Sequence, residues 1–321
     1  MSKLDKAAVV KLCNSINKKE GEGTIYTLGS KNANLKINRW STGIEDLDAI
    51  IGGGMPEGRV IEIYGPESSG KTTLLYHLCS LHPMALDIPI EGTFEADRAK
   101  VFGNKPKQLL VYRAKFGEDA LNKTLQFCKA GIPIVGIDSV PSLVPKEDAE
   151  KVLKSADKDS IEEQRIGGTA RLLNKYLPSI EEVIEITGTT VIFINQVRDK
   201  MNAMMFGEKT DTPGGHKLKH SASLRIQVAR KSWIEIPNKN PQNSATTEKV
   251  GLIMKCKVVK SKVNNPMQEC EVPLLFSEGF VSFDELPEKR KAIMEQRAEM
   301  YSKRKKKEED EDGEYWDDEE E

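Results

Sequence analysis

The sequence predicts an α/β protein: a mostly parallel central sheet flanked by helices, an antiparallel extension, an N-terminal helix and a disordered acidic tail. Three observations carry this reading. Short apolar runs alternate with helical periods between residues 59 and 195. Beyond residue 223, strand-like runs are separated only by turns. Residues 308–321 hold 11 acidic side chains and no basic one, a composition that cannot bury enough apolar surface to fold alone.

In chain order, residues 4–17 carry Leu4, Ala8, Leu12 and Ile16 on one helical face, and Gly21 and Gly23 end that helix. A short strand is expected at 24–28. The apolar runs 59–64, 84–90, 109–112, 132–137 and 189–195 lack strict alternation, as parallel strands covered on both faces do. Helices are expected between them at 71–81, 96–102, 118–129 and 161–186. Segments 224–236, 249–259, 271–276 and 280–283 read as antiparallel strands extending the sheet. A charged helix over 288–307 precedes the acidic tail. Three regions follow: an N-terminal helix and strand (1–35) suited to oligomerisation, a core (36–284), and the helix with its tail (285–321).

The 321 residues suit one large or two smaller domains, and 38% hydrophobic residues suffice for a core. Collagen-like, mucin-like and wholly disordered chains are excluded. No apolar run approaches the ~20 residues that span a bilayer. The N-terminus has no signal-peptide pattern, so a cytoplasmic protein with no membrane partner is expected. Five scattered cysteines without a CxxC pair indicate thiols rather than a zinc site or disulfide framework. His216 and His220 are spaced i,i+4 but have no evident third ligand. Apart from the 11 tail acids, 48 basic residues face 39 acidic ones. A basic body with an acidic tail points to a polyanionic partner.

Gly65-Pro66-Glu67-Ser68-Ser69-Gly70-Lys71-Thr72 matches G-x-x-x-x-G-K-[ST] in full, between a strand and a helix. Its glycines let backbone N–H groups wrap phosphate, Lys71 reaches the β- and γ-phosphates, and Thr72 offers a hydroxyl to Mg²⁺. The helix N-terminus adds positive potential. Composition alone yields such a match in roughly 1% of chains this long. The apolar run 132–137 ends in Asp138, placed to hold a Mg²⁺-bound water. A hydrolytic site also needs a base. Glu91 ends a strand that follows the loop, with Glu95, Asp97 and Asp87 as rivals.

These motifs resemble the RecA recombinases. Residues 58–74 (GRVIEIYGPESSGKTTL) are similar to the family's phosphate-binding region, and 137–146 (IDSVPSLVPK) to its second ATP motif. Residues 191–198 (VIFINQVR), 205–226 (MFGEKTDTPGGHKLKHSASLRI) and 255–266 (KCKVVKSKVNNP) resemble its later strand, DNA loop and basic intersubunit segment. The resemblance covers roughly residues 1–284 and implies a RecA-like P-loop ATPase core.

What it implies transfers residue by residue. Glu91 stands at the catalytic glutamate and Gln196 at a glutamine that senses the γ-phosphate. Lys260 and Lys262 stand where lysines reach the neighbouring protomer's ATP. Thr73 completes the phosphate loop, and Glu95 and Arg98 occupy the adenine positions. Arg171, Asn174, Gly214 and Gly215 stand at DNA-contacting positions, with Ile166 at the tip of a first DNA loop. In the second loop, Arg198 and Lys200 meet phosphate, while Met201, Met204 and Met205 are suited to wedge between unstacked bases.

The sequence also departs from the family. An aspartate and a tyrosine are usual where Glu95 and Arg98 stand, so adenine recognition is expected to use cation–π stacking or a loosened base preference. His220 replaces an aromatic residue and Pro178 a basic one. A charged helix and acidic tail stand where a globular C-terminal domain is usual, as in a compact viral or mobile-element form.

The implied function is ATP- and Mg²⁺-dependent filament formation on single-stranded DNA, followed by homology search and strand exchange with duplex DNA. The tail is expected to compete with DNA or to dock a single-strand-binding or loader protein. A hexameric helicase of the same fold and an ATP-clamped single-strand-binding mediator are the alternatives.

Overall fold

In the computed structural model, residues 5–21, 24–27, 37–92, 94–154, 167–199, 210–238 and 245–314 are described. Residues 1–38 and 39–321 form two separate units. In the first, α1 (Lys6–Glu20) starts where Asp5 accepts hydrogen bonds from the Ala7 and Ala8 N–H groups, at 3.0 and 3.1 Å. The expected strand at 24–28 is not formed over its described residues, 24–27. Both backbone groups of Ile25 bond instead to the Asn17 side chain, at 2.8 Å each. Residue 28 lies outside the described residues.

The second unit begins with the ribbon β1 (Arg39–Trp40) and β2 (Met55–Pro56), which flank α2 (Glu45–Ile51). There follow β3 (Val60–Gly65), α3 (Lys71–Ser80), β4 (Ala85–Pro89), α4 (Ala96–Val101), β5 (Leu109–Val111), α5 (Gly117–Lys129) and β6 (Ile134–Asp138). After a 3₁₀ turn at Val140–Ser142 come α6 (Lys146–Lys154), α7 (Gly168–Thr187), β7 (Thr190–Gln196), β8 (Arg198–Asp199), β9 (Thr210–Asp211) and α8 (Gly215–Ser221). The chain continues through β10 (Leu224–Pro237), β11 (Thr247–Ser261), β12 (Glu269–Leu275), β13 (Gly279–Phe280) and α9 (Leu286–Glu314).

The main sheet runs β13-β12-β11-β10-β3-β7-β6-β4-β5. From β10 to β5 each neighbouring pair is parallel, and from β10 to β13 each is antiparallel. Every residue of β3, β4 and β6 is buried because helices cover both faces. Ile61, Ile63, Ile192 and Ile194 pack with Leu47 of α2 and Leu74, Leu75 and Leu78 of α3. Val191 and Phe193 face the other way, toward Leu121 of α5, Leu172, Leu173 and Leu177 of α7, and Leu218 of α8. A smaller cluster joins Ile293 of α9 to Ile234, Ile236, Val250 and Leu275 at the outer end of the extension.

Three helix or strand expectations need adjusting. The helix expected at 161–186 begins at Gly168, where Gly167 adopts φ 88°; residues 161–166 lie outside the described residues. The final helix passes residue 307 and runs to Glu314. The last strand is Gly279–Phe280 rather than 280–283. Helices α2 and α6 were not legible from periodicity, being only 7 and 9 residues long.

Candidate nucleotide site

Strand β3 leaves the sheet at Gly65, and the chain wraps back into α3 through Gly70, at φ 91°. Gly65 can carry no side chain: a Cβ there would lie 1.9 Å from the Val228 carbonyl oxygen. Ser69 Oγ donates to Pro66 O at 2.8 Å, and Lys71 Nζ donates to the Gly65 and Pro66 carbonyls at 3.1 and 2.7 Å. The loop is thus closed into a cradle with the lysine drawn across its mouth. Burial lowers the Lys71 pKa, while Asp138, Glu91 and Glu67 raise it in part.

Asp138 ends β6 beside the cradle. Thr72 Oγ1 donates to Asp138 Oδ2 at 2.6 Å. Burial pushes the Asp138 pKa up to about 6; the Thr72 bond opposes this, nearby Glu91 adds to it and Lys71 lowers it. One hydroxyl and one carboxylate oxygen, both hard donors, fit Mg²⁺, which uses few protein ligands and keeps water and phosphate oxygens. Among the described residues, no cluster of three His, Cys, Asp or Glu could hold a metal, and His216 and His220 stand with ring centroids 6.3 Å apart.

Glu91 follows β4. Its backbone is held near Asp138, whose carbonyl accepts from Ile90 N at 2.7 Å and Glu91 N at 3.4 Å. Its carboxylate accepts from Ser139 Oγ, and from Gln196 Nε2 at 3.0 Å. Of the four carboxylates weighed as base, Glu91 and Glu95 line the cleft. Asp97 instead pairs with Lys100 at 2.8 Å. Asp87 is buried with both oxygens outside hydrogen-bond geometry; burial and then Asp138 push its pKa up to about 8, against a lowering by the Ile88 N–H.

The cleft encloses about 560 Å³. Ser68–Thr73, Asp138 and Glu91 line it beside the cradle, and Tyr76, Pro89, Glu95, Arg98, Trp233, Leu252, Leu274 and Phe276 complete the lining. Arg98 Nη2 donates to Thr73 Oγ1 at 3.1 Å. Sequence reasoning missed Ser139 and the wall from the extension. Ser139 had a readable signal, as a polar residue directly after Asp138. Trp233 and Phe276 had none, because only the pairing of β10, β11 and β12 brings them to the cleft.

Behind the cradle lies a buried polar network. Glu62, fully buried in β3, accepts from Arg225 Nε at 2.5 Å and Asn195 Nδ2 at 2.8 Å. Asn195 Nδ2 also reaches Pro213 O at 2.8 Å, tying β7 to the segment that enters α8.

The residues assigned to DNA divide into two groups. Arg171 and Asn174 are both exposed and three apart on α7. Gly214 and Gly215 start α8 against the same helix: added Cβ atoms would come within 2.9 Å of Leu173 Cδ1 and Ala170 Cβ. The two glycines therefore sit against the helix that carries Arg171 and Asn174. Ile166, Lys200, Met201, Met204 and Met205 lie outside the described residues; Arg198 is placed in β8 by its backbone. Lys260 and Lys262 do not line the cleft. Lys260 Nζ donates to the carbonyls of Lys219 and His220, at 2.5 and 3.0 Å. Burial, then Lys262 and Arg225, lower its pKa to about 8, against a raising influence of Glu62 and Glu181.

A glycine-rich cradle between a buried parallel strand and a helix, with a carboxylate at a neighbouring strand end, defines a P-loop nucleotide-binding protein. Comparison with known proteins narrows the class. The RecA N-terminal domain family matches residues 7–281. The chain is 37% identical to Protein RecA of Campylobacter hominis over 278 residues, 85% of this chain and 75% of that protein. It is 37% identical to Protein RecA of Campylobacter jejuni, covering 76% of it. It is 35% identical over 271 residues to the chloroplastic DNA repair protein recA homolog 1 of Arabidopsis thaliana, covering 58% of it. The chain belongs to the RecA family, the DNA-dependent ATPases of DNA recombination and repair. No helix among the described residues is long and apolar enough to cross a membrane.

Proposed function

We propose that this chain binds ATP with Mg²⁺, assembles as a helical filament on single-stranded DNA, and promotes homology search and strand exchange with duplex DNA. The observation that carries the reading is the 3.0 Å hydrogen bond from Gln196 to Glu91. It joins the group suited to activate water to the strand that leads into the segment assigned to DNA, so nucleotide state and DNA grip share one contact.

In this reading the backbone of Gly65–Thr73 wraps the phosphates and Lys71 turns from its carbonyl partners toward the β,γ-oxygens. Thr72 and Asp138 hold Mg²⁺, which offsets phosphate charge when bound. Glu91 takes the proton of the attacking water, with Ser139 and Gln196 fixing its carboxylate. Lys260 and Lys262 serve the adjacent protomer's nucleotide. Arg171, Asn174, Gly214, Gly215, Arg198 and Lys200 meet DNA backbone, while Met201, Met204 and Met205 wedge between unstacked bases and Ile166 forms the apolar tip of the first DNA loop. The acidic tail acts as a tethered polyanion that competes with duplex.

Electron microscopy on single-stranded DNA with a non-hydrolysable ATP analogue tests this. A continuous right-handed filament is expected; closed rings that translocate would replace the reading with a helicase.

A further inference from the structure

Strands β11 and β12 bring two thiols together. Cys256 and Cys270 stand directly opposite each other in the antiparallel register, between the pairs Lys255–Glu271 and Lys257–Glu269. Residues so placed have Cα atoms about 4.5–5.5 Å apart and side chains on one face of the sheet. A disulfide needs Cα atoms roughly 4.4–6.8 Å apart, so the backbone already stands where the bond requires it. Both cysteines are free. A hydrogen bond to the Cys270 thiol, then burial, raises the Cys256 pKa well above the ordinary thiol value.

The two thiols differ in access. Cys256 is 1% exposed and packs in the core with Met254, Val258 and Val272. Cys270 is half-buried at the rim of the same cluster. It lies on a stretch of β12 that β13 leaves uncovered, because β13 pairs only with Leu274 and Leu275. A small oxidant therefore reaches Cys270 from solvent, and a sulfur oxidised there faces the second thiol at once. Cys79 and Cys128 are instead buried on α3 and α5.

We propose that Cys256 and Cys270 form a peroxide-responsive dithiol that closes to a cross-strand disulfide, stapling the β11–β12 hairpin that carries Lys260 and Lys262. The Cys270 thiolate attacks one oxygen of a hydroperoxide and the O–O bond breaks. Cys270 becomes a sulfenic acid, and the departing hydroxide takes up the proton that Cys270 lost. The Cys256 sulfur then attacks the sulfenic sulfur. The S–O bond breaks, and the hydroxyl leaves as water with the Cys256 proton. Two electrons pass from the sulfurs to the peroxide, so two thiols and hydrogen peroxide give one disulfide and two waters. A dithiol reductant reverses the bond by exchange. The closed loop contains Lys260, Lys262 and the hairpin turn, and the bond opposes separation of β12 from β11.

The test treats the full chain with hydrogen peroxide, blocks remaining thiols by alkylation and maps the peptides without reduction. The Cys256 and Cys270 peptides are expected to be joined within one chain and released by dithiothreitol. Amide exchange over residues 269–272 is expected to slow about tenfold in the oxidised form. Cys270→Ser leaves Cys256 reduced under the same treatment. Cys256→Ala lets Cys270 proceed to the sulfinic acid, which dithiothreitol does not reverse. A parent chain in which both thiols stay reduced, or in which Cys270 reaches the sulfinic acid beside a reduced Cys256, overturns the proposal. Linkage found only between two copies of the chain does the same. Equal exchange over residues 269–272 in the two redox forms overturns the staple.

Discussion

The parallel half of the sheet and its antiparallel extension hold their functional groups in opposite ways. In β3, β4 and β6 every position is buried, and polar chemistry gathers where the strands end, at Gly65, Glu91 and Asp138. In β10 and β11 burial alternates along the strand. Side chains of one face then reach the cleft wall from mid-strand, as Trp233 and Leu252 do, while Lys231 and Lys255 stay exposed in ion pairs. A strand covered on both faces can offer reactive groups only at its end. A strand with one wet face can offer them anywhere along its length.

Five substitutions and one truncation probe this contrast, beginning with the largest expected effect. Arg225 lies at the seam and pairs with Glu62, which is 0% exposed. Arg225→Met leaves that carboxylate buried without its cation, and denaturant unfolding is expected to show a loss of about 3–5 kcal/mol. A loss under ~1 kcal/mol shows that the seam is as tolerant as the wet face.

At the strand ends, Lys71→Ala is expected to cut steady-state ATP turnover by roughly 10²–10³-fold, the effect typical of removing one preorganised transition-state donor. Glu91→Gln is expected to slow turnover about 10²-fold while nucleotide affinity holds, since the amide keeps the shape but accepts no proton. Parent-rate hydrolysis by Glu91→Gln transfers the base role elsewhere, with Glu95 the other candidate base that lines the cleft.

The extension's contribution is sensitive to pH. With its pKa lowered to about 8, Lys260 carries its ammonium below pH 8 and loses it above. DNA-stimulated hydrolysis is expected to fall as pH rises through that value, while nucleotide binding stays level. Lys260→Arg, whose charge does not titrate in this range, is expected to flatten the profile. An unchanged profile in Lys260→Arg separates the pH dependence from this residue.

Removing residues 308–321 is expected to tighten duplex binding severalfold at low salt, and less at high salt, as screening weakens the tail's competition. Anisotropy on labelled duplex reads this directly, and equal affinities leave partner docking as the tail's role. The smallest effect belongs to the wet face. Lys231 pairs with Glu271 while its side chain is 55% exposed. Lys231→Met is therefore expected to change stability by about 1 kcal/mol or less.

Residues 59–80 were legible almost completely, because a phosphate loop is a local object: a strand, a turn of eight residues and a helix N-terminus all lie within one stretch of chain. Asp138 was legible as the end of an apolar run. Glu91 was one carboxylate among four, and the resemblance to recombinases favoured it. The register of β4 against β6, with Pro89 opposite Asp138, sets Glu91 beside the cleft. The same strand hides Asp87 in the interior four residues before Glu91. The strand expected at 24–28 misled because apolar residues there met no strand partner, only the Asn17 side chain.

The alternation of apolar runs with helical periods, and the glycines and lysine between the first two elements, were determined by the sequence alone, since backbone sterics and helix periodicity act between near neighbours. Which groups face one another across the cleft was decided only by the tertiary structure. Gln196 meets Glu91 from 105 residues away. Trp233 and Phe276 reach the cleft only because β10 pairs with β3, and β11 and β12 add on outside it. Such meetings depend on strand order and register, to which distant segments of the chain all contribute, and no local pattern encodes them.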